Sequence, residues 1–233
     1  MEQVRSAAGG LDEAQLAAPV AIFDLDRTLI PGSSTAALAT MLVRRRLLPR
    51  RLLARQALHA ARFARHGISD QGLARVGDAG LVALRGLAHA PLAEVAAEAA
   101  PLVAATAYPG ARWLLEQHER AGHFCVLLSA SPQELVEAVG AVLGVHRCIG
   151  TRALVRDGTL TGELAGPLCH GAGKLVRLRD EVGPVDLTRA AAYGDSGGDI
   201  TLLAATGRPV AVHPDRRLRA HATAAGWPIL RFD

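Results

Sequence analysis

The stretch Pro19-Val-Ala-Ile-Phe-Asp24-Leu-Asp26 decides the fold of this chain. It is a short run of apolar, strand-forming residues that ends in two acidic residues. A run that is apolar on both faces is typical of a strand buried inside a parallel sheet. We therefore expect a central strand here, with two carboxylates at its carboxyl end.

Four further apolar runs follow later in the chain, and helical segments or turns separate them. They span residues 124–128, 148–151, 190–193 and 209–212. This alternation predicts an α/β fold, a Rossmann-like doubly wound parallel sheet with helices on both faces. Sheets of this kind bind ligands beyond the carboxyl ends of their strands. An Asp-Gly turn within residues 154–161 predicts an additional β-hairpin.

Residues 34–105 differ from the rest, since Ala, Leu and Arg recur there at helical spacing. We expect an all-helical cap over this range, inserted into an α/β core of residues 19–33 and 106–233. Residues 1–18 form a polar leader without the apolar segment of a secretory signal. Because no run of eighteen apolar residues predicts a transmembrane helix either, we expect a cytoplasmic protein.

The composition is that of a globular protein, because half of the 233 residues are hydrophobic. The three cysteines are odd in number and contain no C-x-x-C pair, so neither a disulfide framework nor a zinc site is expected. Four Phe, two Trp and two Tyr offer little surface for base stacking, which argues against nucleic-acid binding. Of the basic residues, Lys174 is the single lysine.

Asp24 and Asp26 are two residues apart at a strand end, so their side chains can point to the same side. A divalent cation would relieve the repulsion between them, and hard oxygen ligands favour Mg²⁺. Asp195 and Asp199, in Tyr193-Gly-Asp-Ser-Gly-Gly-Asp199, can point at the same centre while the glycines let the backbone approach it. The alternative for each pair is an acidic turn without a ligand.

Two other segments carry groups that suit a phosphate. After the apolar run that ends in Ser129, we expect Ser131, Pro132 and Glu134 to form a capping box at a helix start, whose free N–H groups suit an anion. Lys174 follows a Gly-rich segment that is not a Walker A loop, and a lysine there can neutralise a phosphoryl group. Simple helix capping and a surface lysine are the alternatives.

Together these segments resemble a known family. D-L-D-R-T-L, L-L-S-A-S, G-A-G-K and G-D-S-G-G-D are similar to the four motifs of the haloacid dehalogenase superfamily, in the same order. The helical insertion between the first and second motifs resembles the cap of the phosphoserine-phosphatase-like branch, subfamily IB. The resemblance covers nearly the whole chain and implies a magnesium-dependent phosphatase.

The resemblance also implies roles for individual residues. Asp24 would attack phosphorus to form an aspartyl phosphate, and Asp26 would protonate the leaving oxygen and later activate water. Relatives that use the phospho-aspartate for ion pumping lack an acid at the second position, so hydrolysis is expected here. The implied Mg²⁺ ligands are the carboxylates of Asp24 and Asp195 and the backbone carbonyl of Asp26, with Asp199 in support. The implied phosphate-binding residues are Ser129, Ala130 and Lys174.

The residue nine positions after Asp24 bears on the identity of the substrate. Phosphoserine phosphatases typically place a glutamate nine residues after the nucleophile, whereas this chain has Ser33, so another small phosphate ester is expected. Phosphotransfer to another acceptor, as in a mutase, and a non-catalytic phosphate-responsive binding protein are the alternatives.

The first part of the predicted cap is strongly basic, because no acidic residue lies between Asp26 and Asp70. Its arginines are Arg44, Arg45, Arg46, Arg50, Arg51, Arg55, Arg62 and Arg65. Such a stretch forms either a solvated helical face or a surface for an anionic substrate, membrane or nucleic acid.

Overall fold

The computed structural model describes residues 19–49, 81–82 and 84–232. Its main sheet has six parallel strands in the order β3-β2-β1-β6-β7-β8. These strands are β1 (Val20–Phe23), β2 (Phe124–Pro132), β3 (Arg147–Thr151), β6 (Ala191–Gly194), β7 (Arg208–Val212) and β8 (Ile229–Leu230). The predicted Rossmann-like α/β fold is confirmed.

Strand β1 lies in the middle of the sheet, paired with β2 on one side and β6 on the other. Phe23, its last residue, is aligned with Leu127 of β2 and Tyr193 of β6. Alternate residues of β1 face opposite layers, since Phe23 packs into one apolar cluster and Ile22 into the other. Both faces of the strand are therefore buried, as the unbroken apolar run predicts.

Helices cover the two faces of the sheet. They are α1 (Ser34–Arg44), α2 (His89–Ala105), α3 (Pro109–Arg120), α4 (Gln133–Leu143), α5 (Ala172–Val182), α6 (Ile200–Ala204) and α7 (Arg216–Ala225). Helix α2 packs against both α1 and α4. The parts of residues 34–105 that the structure describes include these two helices, α1 and α2. Residues 1–18 and 50–80 lie outside the described chain, so the domain division stays a prediction.

The predicted hairpin consists of β4 (Ala153–Arg156) and β5 (Thr159–Leu164). Asp157 and Gly158 connect them with φ angles of 51° and 72°, which is the left-handed turn that Asp-Gly favours. The hairpin also bonds to the start of α2, where the N–H of His89 donates to the carbonyl of Gly158. Among the described helices, none is long and apolar enough to cross a membrane.

Candidate active site

Asp24 and Asp26 lie just beyond the carboxyl end of β1, as predicted. The N–H of Asp24 donates to the carbonyl of Tyr193 at 3.0 Å, which continues the ladder between β1 and β6. Leu25 between the two acids is fully buried in the core. Because side chains alternate along an extended chain, this burial leaves both carboxyl groups on the side above the sheet.

Lys174 joins two of the predicted site carboxylates. Its Nζ atom lies 2.6 Å from Oδ1 of Asp24 and 2.6 Å from Oδ1 of Asp199, and its side chain is 2% exposed. Burial acts to lower the pKa of this lysine, but attraction to Asp199 and Asp24 outweighs it and raises the pKa. The amine is therefore a fixed positive charge, and the surface-lysine alternative is excluded.

The two carboxylates bound by Lys174 differ in their proton affinity. Burial, and the negative charges of Asp199 and Asp26, raise the pKa of Asp24 to about 7 against the pull of Lys174. For Asp199, burial is outweighed by Lys174 and by hydrogen bonds from the N–H and hydroxyl of Ser196, so its pKa is lowered. Asp199 is thus the firmly ionised partner, and Asp24 is the less stabilised carboxylate.

Asp199 also takes part in a capping box with Ser196. A short 3₁₀ helix, Gly197–Asp199, begins after Ser196, whose N–H and hydroxyl donate to Oδ2 of Asp199 at 3.0 and 2.9 Å. Gly194 makes this arrangement possible, because a Cβ atom there would lie 2.6 Å from the Cβ of Asp199. The turn and the lysine together hold both oxygens of Asp199.

Asp195 lies at the same edge and forms an ion pair with Arg27. Burial raises the pKa of Asp195 well above its usual range, and the charges of Asp24 and Asp199 raise it further. Arg27 has a φ of 63°, a left-handed conformation that is uncommon outside glycine and asparagine. It follows Asp26 directly, and the sequence analysis did not assign it to the site.

The acidic groups fit the chemistry of a magnesium site. Asp24 and Asp195 are buried, and each has a raised pKa because burial, and then the negative charge of neighbouring aspartates, disfavours its ionised form. Within the part of the chain that the structure describes, no group of three His, Cys, Asp or Glu residues is arranged to hold a metal. Two carboxylates with backbone oxygen and water suit Mg²⁺, which commonly keeps several water ligands.

Ser129 and Ala130 lie near the end of β2, where the chain crosses the same edge of the sheet. Ser129 is 1% exposed, and its hydroxyl accepts a hydrogen bond from the N–H of Ser131 at 3.2 Å. The carbonyl of Ala130 accepts from the hydroxyl of Thr151 at 2.8 Å. Both residues are held in place next to the helix start of α4.

The predicted capping box at Ser131 is wrong. Strand β2 continues to Pro132, helix α4 begins at Gln133, and no side chain caps it. The hydroxyl of Ser131 instead contacts Asp26, and Glu134 lies 2.9 Å from Nε2 of His89. Tertiary contacts with distant segments occupy the two side chains that the local pattern assigned to capping.

The hydroxyl contacts around Asp26 were also missed. Oδ1 of Asp26 accepts from the N–H of Ser34 at 2.8 Å, and Oδ2 accepts from the hydroxyl of Ser131 at 3.3 Å. Burial raises the pKa of Asp26, and the hydrogen bonds of Ser34 and Ser131 oppose the rise. The Ser-Ser-Thr run at residues 33–35 was the available sequence signal, since such residues begin helices and Ser33 caps α1.

Comparison with known proteins places this geometry in a family. The sequence profile of the haloacid dehalogenase-like hydrolases matches residues 21–204. An "inhibition of morphological differentiation protein" of Streptomyces azureus is 37% identical over 228 residues, 96% of this chain and 82% of that protein. The phosphoserine phosphatase SerB1 of Mycobacterium tuberculosis is 32% identical over 216 residues, 91% of this chain and 70% of that protein.

A solved structure supports the fold. A phospho-aspartyl intermediate analogue of phosphoserine phosphatase superposes with a TM-score of 0.62 over 92% of this chain and 93% of the other, at 18% identity. The predicted similarity to the phosphoserine-phosphatase-like fold is therefore confirmed. The chain belongs to the haloacid dehalogenase-like hydrolase family, and the prediction that it is an enzyme, a phosphatase of this type, is confirmed.

Proposed function

We propose that the protein is a Mg²⁺-dependent phosphomonoester hydrolase that forms an aspartyl phosphate on Asp24. The observation that carries the proposal is the contact of Lys174 with Asp24 and Asp199 at 2.6 Å each. It keeps a buried nucleophile beside a permanent positive charge. A phosphoryl group that meets Asp24 also meets that charge, which favours charge development on the phosphoryl oxygens.

In the proposed reaction, the two acids after β1 carry out the chemical steps. An oxygen of Asp24 bonds to phosphorus as the bond to the leaving oxygen breaks, and Asp26 gives that oxygen a proton. The ionised Asp26 then takes a proton from water, whose oxygen attacks phosphorus and releases Asp24. Inorganic phosphate and an alcohol are the products, and both acids return to their starting states.

The carboxylates of Asp24 and Asp195 and the backbone carbonyl of Asp26 would hold Mg²⁺, with Asp199 in support. When bound, the cation supplies Lewis-acid neutralisation of the phosphoryl charge. Asp199 acts through Lys174, because its ionised carboxylate keeps the amine in place. The pKa of Asp195 is raised because burial and the charges of Asp24 and Asp199 outweigh its ion pair with Arg27, whereas Lys174 lowers the pKa of Asp199.

The phosphoryl oxygens would be bound by Ser129, Ala130 and Lys174. The backbone at Ser129 and Ala130 lies near the end of a largely buried strand, shortly before α4 begins at Gln133. Donors there are pre-positioned and need little reorganisation as charge develops. Positioning and electrostatics, rather than further covalent chemistry, would therefore provide most of the rate enhancement.

For the substrate we propose a small phosphate ester of the polyol, amino-alcohol or lysolipid kind. Ser33, at the place where phosphoserine phosphatases typically have a glutamate, lies exposed before α1 and caps that helix through its hydroxyl. It offers no charge to a substrate amine. We also propose that residues 34–105 form a helical cap over a core of residues 19–33 and 106–233. The enzyme would be cytoplasmic.

The test is phosphate release from a panel of esters with and without Mg²⁺. The panel contains phosphoserine, polyol phosphates, amino-alcohol phosphates and lysophosphatidate. Wild type is compared with Asp24→Asn and with Asp180→Asn, a control at an exposed aspartate of α5. We expect release that requires both Mg²⁺ and Asp24 and that Asp180→Asn retains. Folded wild-type protein that binds Mg²⁺ but releases no phosphate would instead favour the phosphotransferase or binding-protein alternatives.

A further inference from the structure

Three hydroxyl groups from two distant parts of the chain lie close together beside Asp26. Ser34 and Thr35 belong to the first turn of α1, and Ser131 lies near the end of β2. The Oγ atom of Ser131 is 2.7 Å from that of Ser34 and 2.8 Å from Oγ1 of Thr35. We call Ser34, Thr35 and Ser131 the hydroxyl cluster.

The hydroxyl cluster is hydrogen-bonded to the carboxyl group of Asp26 through Ser131. The hydroxyl of Ser131 donates to Oδ2 at 3.3 Å, while the N–H of Ser34 donates to Oδ1 at 2.8 Å. Each carboxyl oxygen therefore has its own donor, and the two donors come from different elements. A carboxyl group held at both oxygens cannot rotate freely about its Cβ–Cγ bond.

The number of protons in the cluster favours this direction of bonding. A hydroxyl group has one proton to donate and two lone pairs to accept. When Ser131 donates to a lone pair on Oδ2 of Asp26, its own lone pairs can accept from both Ser34 and Thr35. All three contacts of Ser131 are then satisfied at once, and the chain of donors points at the carboxylate.

Burial makes these bonds costly to break. Ser34 is fully buried and Ser131 is 2% exposed, so water is not available to replace a lost partner. A buried hydroxyl without a partner is destabilising, which makes the arrangement strongly preferred over alternatives. Neither serine is needed for helix capping, since Ser33 caps α1 and no side chain caps α4.

We propose that Ser34, Thr35 and Ser131 are positioning residues that aim the carboxyl group of Asp26 at the leaving oxygen of the substrate. This inference rests on the proposed function, in which Asp26 is the general acid. General acid catalysis depends on orientation, because the proton must be transferred along a short hydrogen bond. Since α1 begins the predicted cap, docking of that helix would also set the angle of the acid.

The test compares two leaving groups, because only a poor one requires a proton. An alkoxide leaves with difficulty unless it is protonated, whereas 4-nitrophenolate is a stable anion. We would measure kcat/KM, which covers the steps up to phosphoryl transfer, for 4-nitrophenyl phosphate and for the best aliphatic ester of the panel. The variants are Ser131→Ala, Thr35→Val and Thr35→Ser, and melting curves establish that each is folded.

Ser131→Ala and Thr35→Val are expected to lower kcat/KM for the aliphatic ester by about tenfold or more, as a partial loss of the roughly 10²- to 10⁴-fold that general acid catalysis contributes. For 4-nitrophenyl phosphate they should change it by less than about threefold, since proton donation contributes little there. Thr35→Ser, which keeps the hydroxyl, should behave like wild type. So should Thr40→Val, because the hydroxyl of Thr40 bonds to the carbonyl of Ala36 within α1.

Equal losses on both esters in active enzyme would overturn the positioning role and leave the proposed function intact. The same conclusion follows if Thr35→Ser is as impaired as Thr35→Val. Wild type that releases phosphate from neither ester would contradict the proposed function, and the inference with it. Wild type that hydrolyses only the nitrophenyl ester would contradict the inference, because Asp26 would then protonate no leaving oxygen.

Discussion

The ammonium nitrogen of Lys174 lies 2.6 Å from a carboxylate oxygen of Asp24, although 150 residues separate the two in the chain. Both side chains are buried, so the pair depends on correct docking of α5 against the end of β1. Removing one member of a buried ion pair leaves an uncompensated charge, which costs more than the pair contributes. Substitutions at this ion pair should therefore affect the stability of the fold as well as catalysis.

Lys174→Met is expected to lower the free energy of unfolding by about 3 to 5 kcal/mol, because it leaves Asp24 and Asp199 buried without a cation. Adding Asp199→Asn to this variant removes one of the two orphaned charges and should recover at least about 1 kcal/mol. Urea unfolding in the absence of Mg²⁺ measures both values. A double variant that is less stable than Lys174→Met alone would contradict the charge argument.

Gly194→Ala should reduce activity without unfolding the protein. The new methyl group would lie 2.6 Å from Cβ and 2.7 Å from Cγ of Asp199, so that side chain must move and Lys174 with it. A misplacement of about 1 Å at a catalytic centre can cost about 10²-fold in rate. Gly32→Ala is the matched control, since no atom lies within 4 Å of its added Cβ. Phosphate release should fall in the first variant alone, and full activity in Gly194→Ala would refute the argument.

Arg27→Asn is expected to bind Mg²⁺ more tightly than wild type. The guanidinium of Arg27 neutralises Asp195, a proposed metal ligand, and asparagine tolerates the left-handed backbone at this position. Removing the positive charge should increase affinity by about tenfold at low ionic strength, and less in salt. Titration calorimetry measures the dissociation constant directly. Unchanged or weaker binding would show that Arg27 does not compete with the cation.

His118 should make stability depend on pH. Its Nε2 atom lies 2.7 Å from the hydroxyl of Tyr193, and its Nδ1 atom lies 2.7 Å from Nδ1 of His123. Burial lowers the pKa of His118 to about 4, and the neighbouring His123 and Arg208 act in the same direction. Between pH 6.5 and about pH 4, His118 is protonated in the unfolded chain but neutral in the folded protein. The stability from this residue is present above pH 6.5 and is lost as the pH falls toward 4.

Melting temperatures at pH 7 and pH 5 measure this effect. The fall in Tm between the two pH values should be smaller in His118→Asn than in wild type. The difference should be about 2 to 4 °C for each kcal/mol of pH-dependent stability that the substitution removes. His221→Asn, a change at an exposed histidine of α7, should keep the fall of wild type. If His118→Asn shows the wild-type dependence, then His118 is not the group that titrates.

The sequence predicted the parts of this molecule that local pattern determines. The apolar run before Asp24 required a buried strand, and the Asp157-Gly158 turn required a hairpin, because each depends on residues close together in the chain. The shared edge at which Asp24 and Asp195 lie also followed, since parallel strands end on the same side. These expectations need only periodicity and topology.

Contacts between distant side chains could not be predicted in the same way. The capping box was assigned to Ser131 from a local pattern, but its hydroxyl bonds to residues about 100 positions away. The pairing of Lys174 with Asp199 depends on the turn made by Ser196 and on the small size of Gly194. Such details arise only when packed elements bring the side chains together.

Trapping of a phosphorylated enzyme would test the proposed role of Asp24 as the nucleophile. Asp26→Asn should form the intermediate from 4-nitrophenyl phosphate but hydrolyse it slowly, because the group that activates water is missing. Acid quenching, proteolysis and mass spectrometry would then locate the phosphate. We expect an acyl phosphate on the peptide that contains Asp24, and we expect none in Asp24→Asn. Release of phosphate by wild type with no phosphorylated Asp24 in either protein would contradict the proposed role.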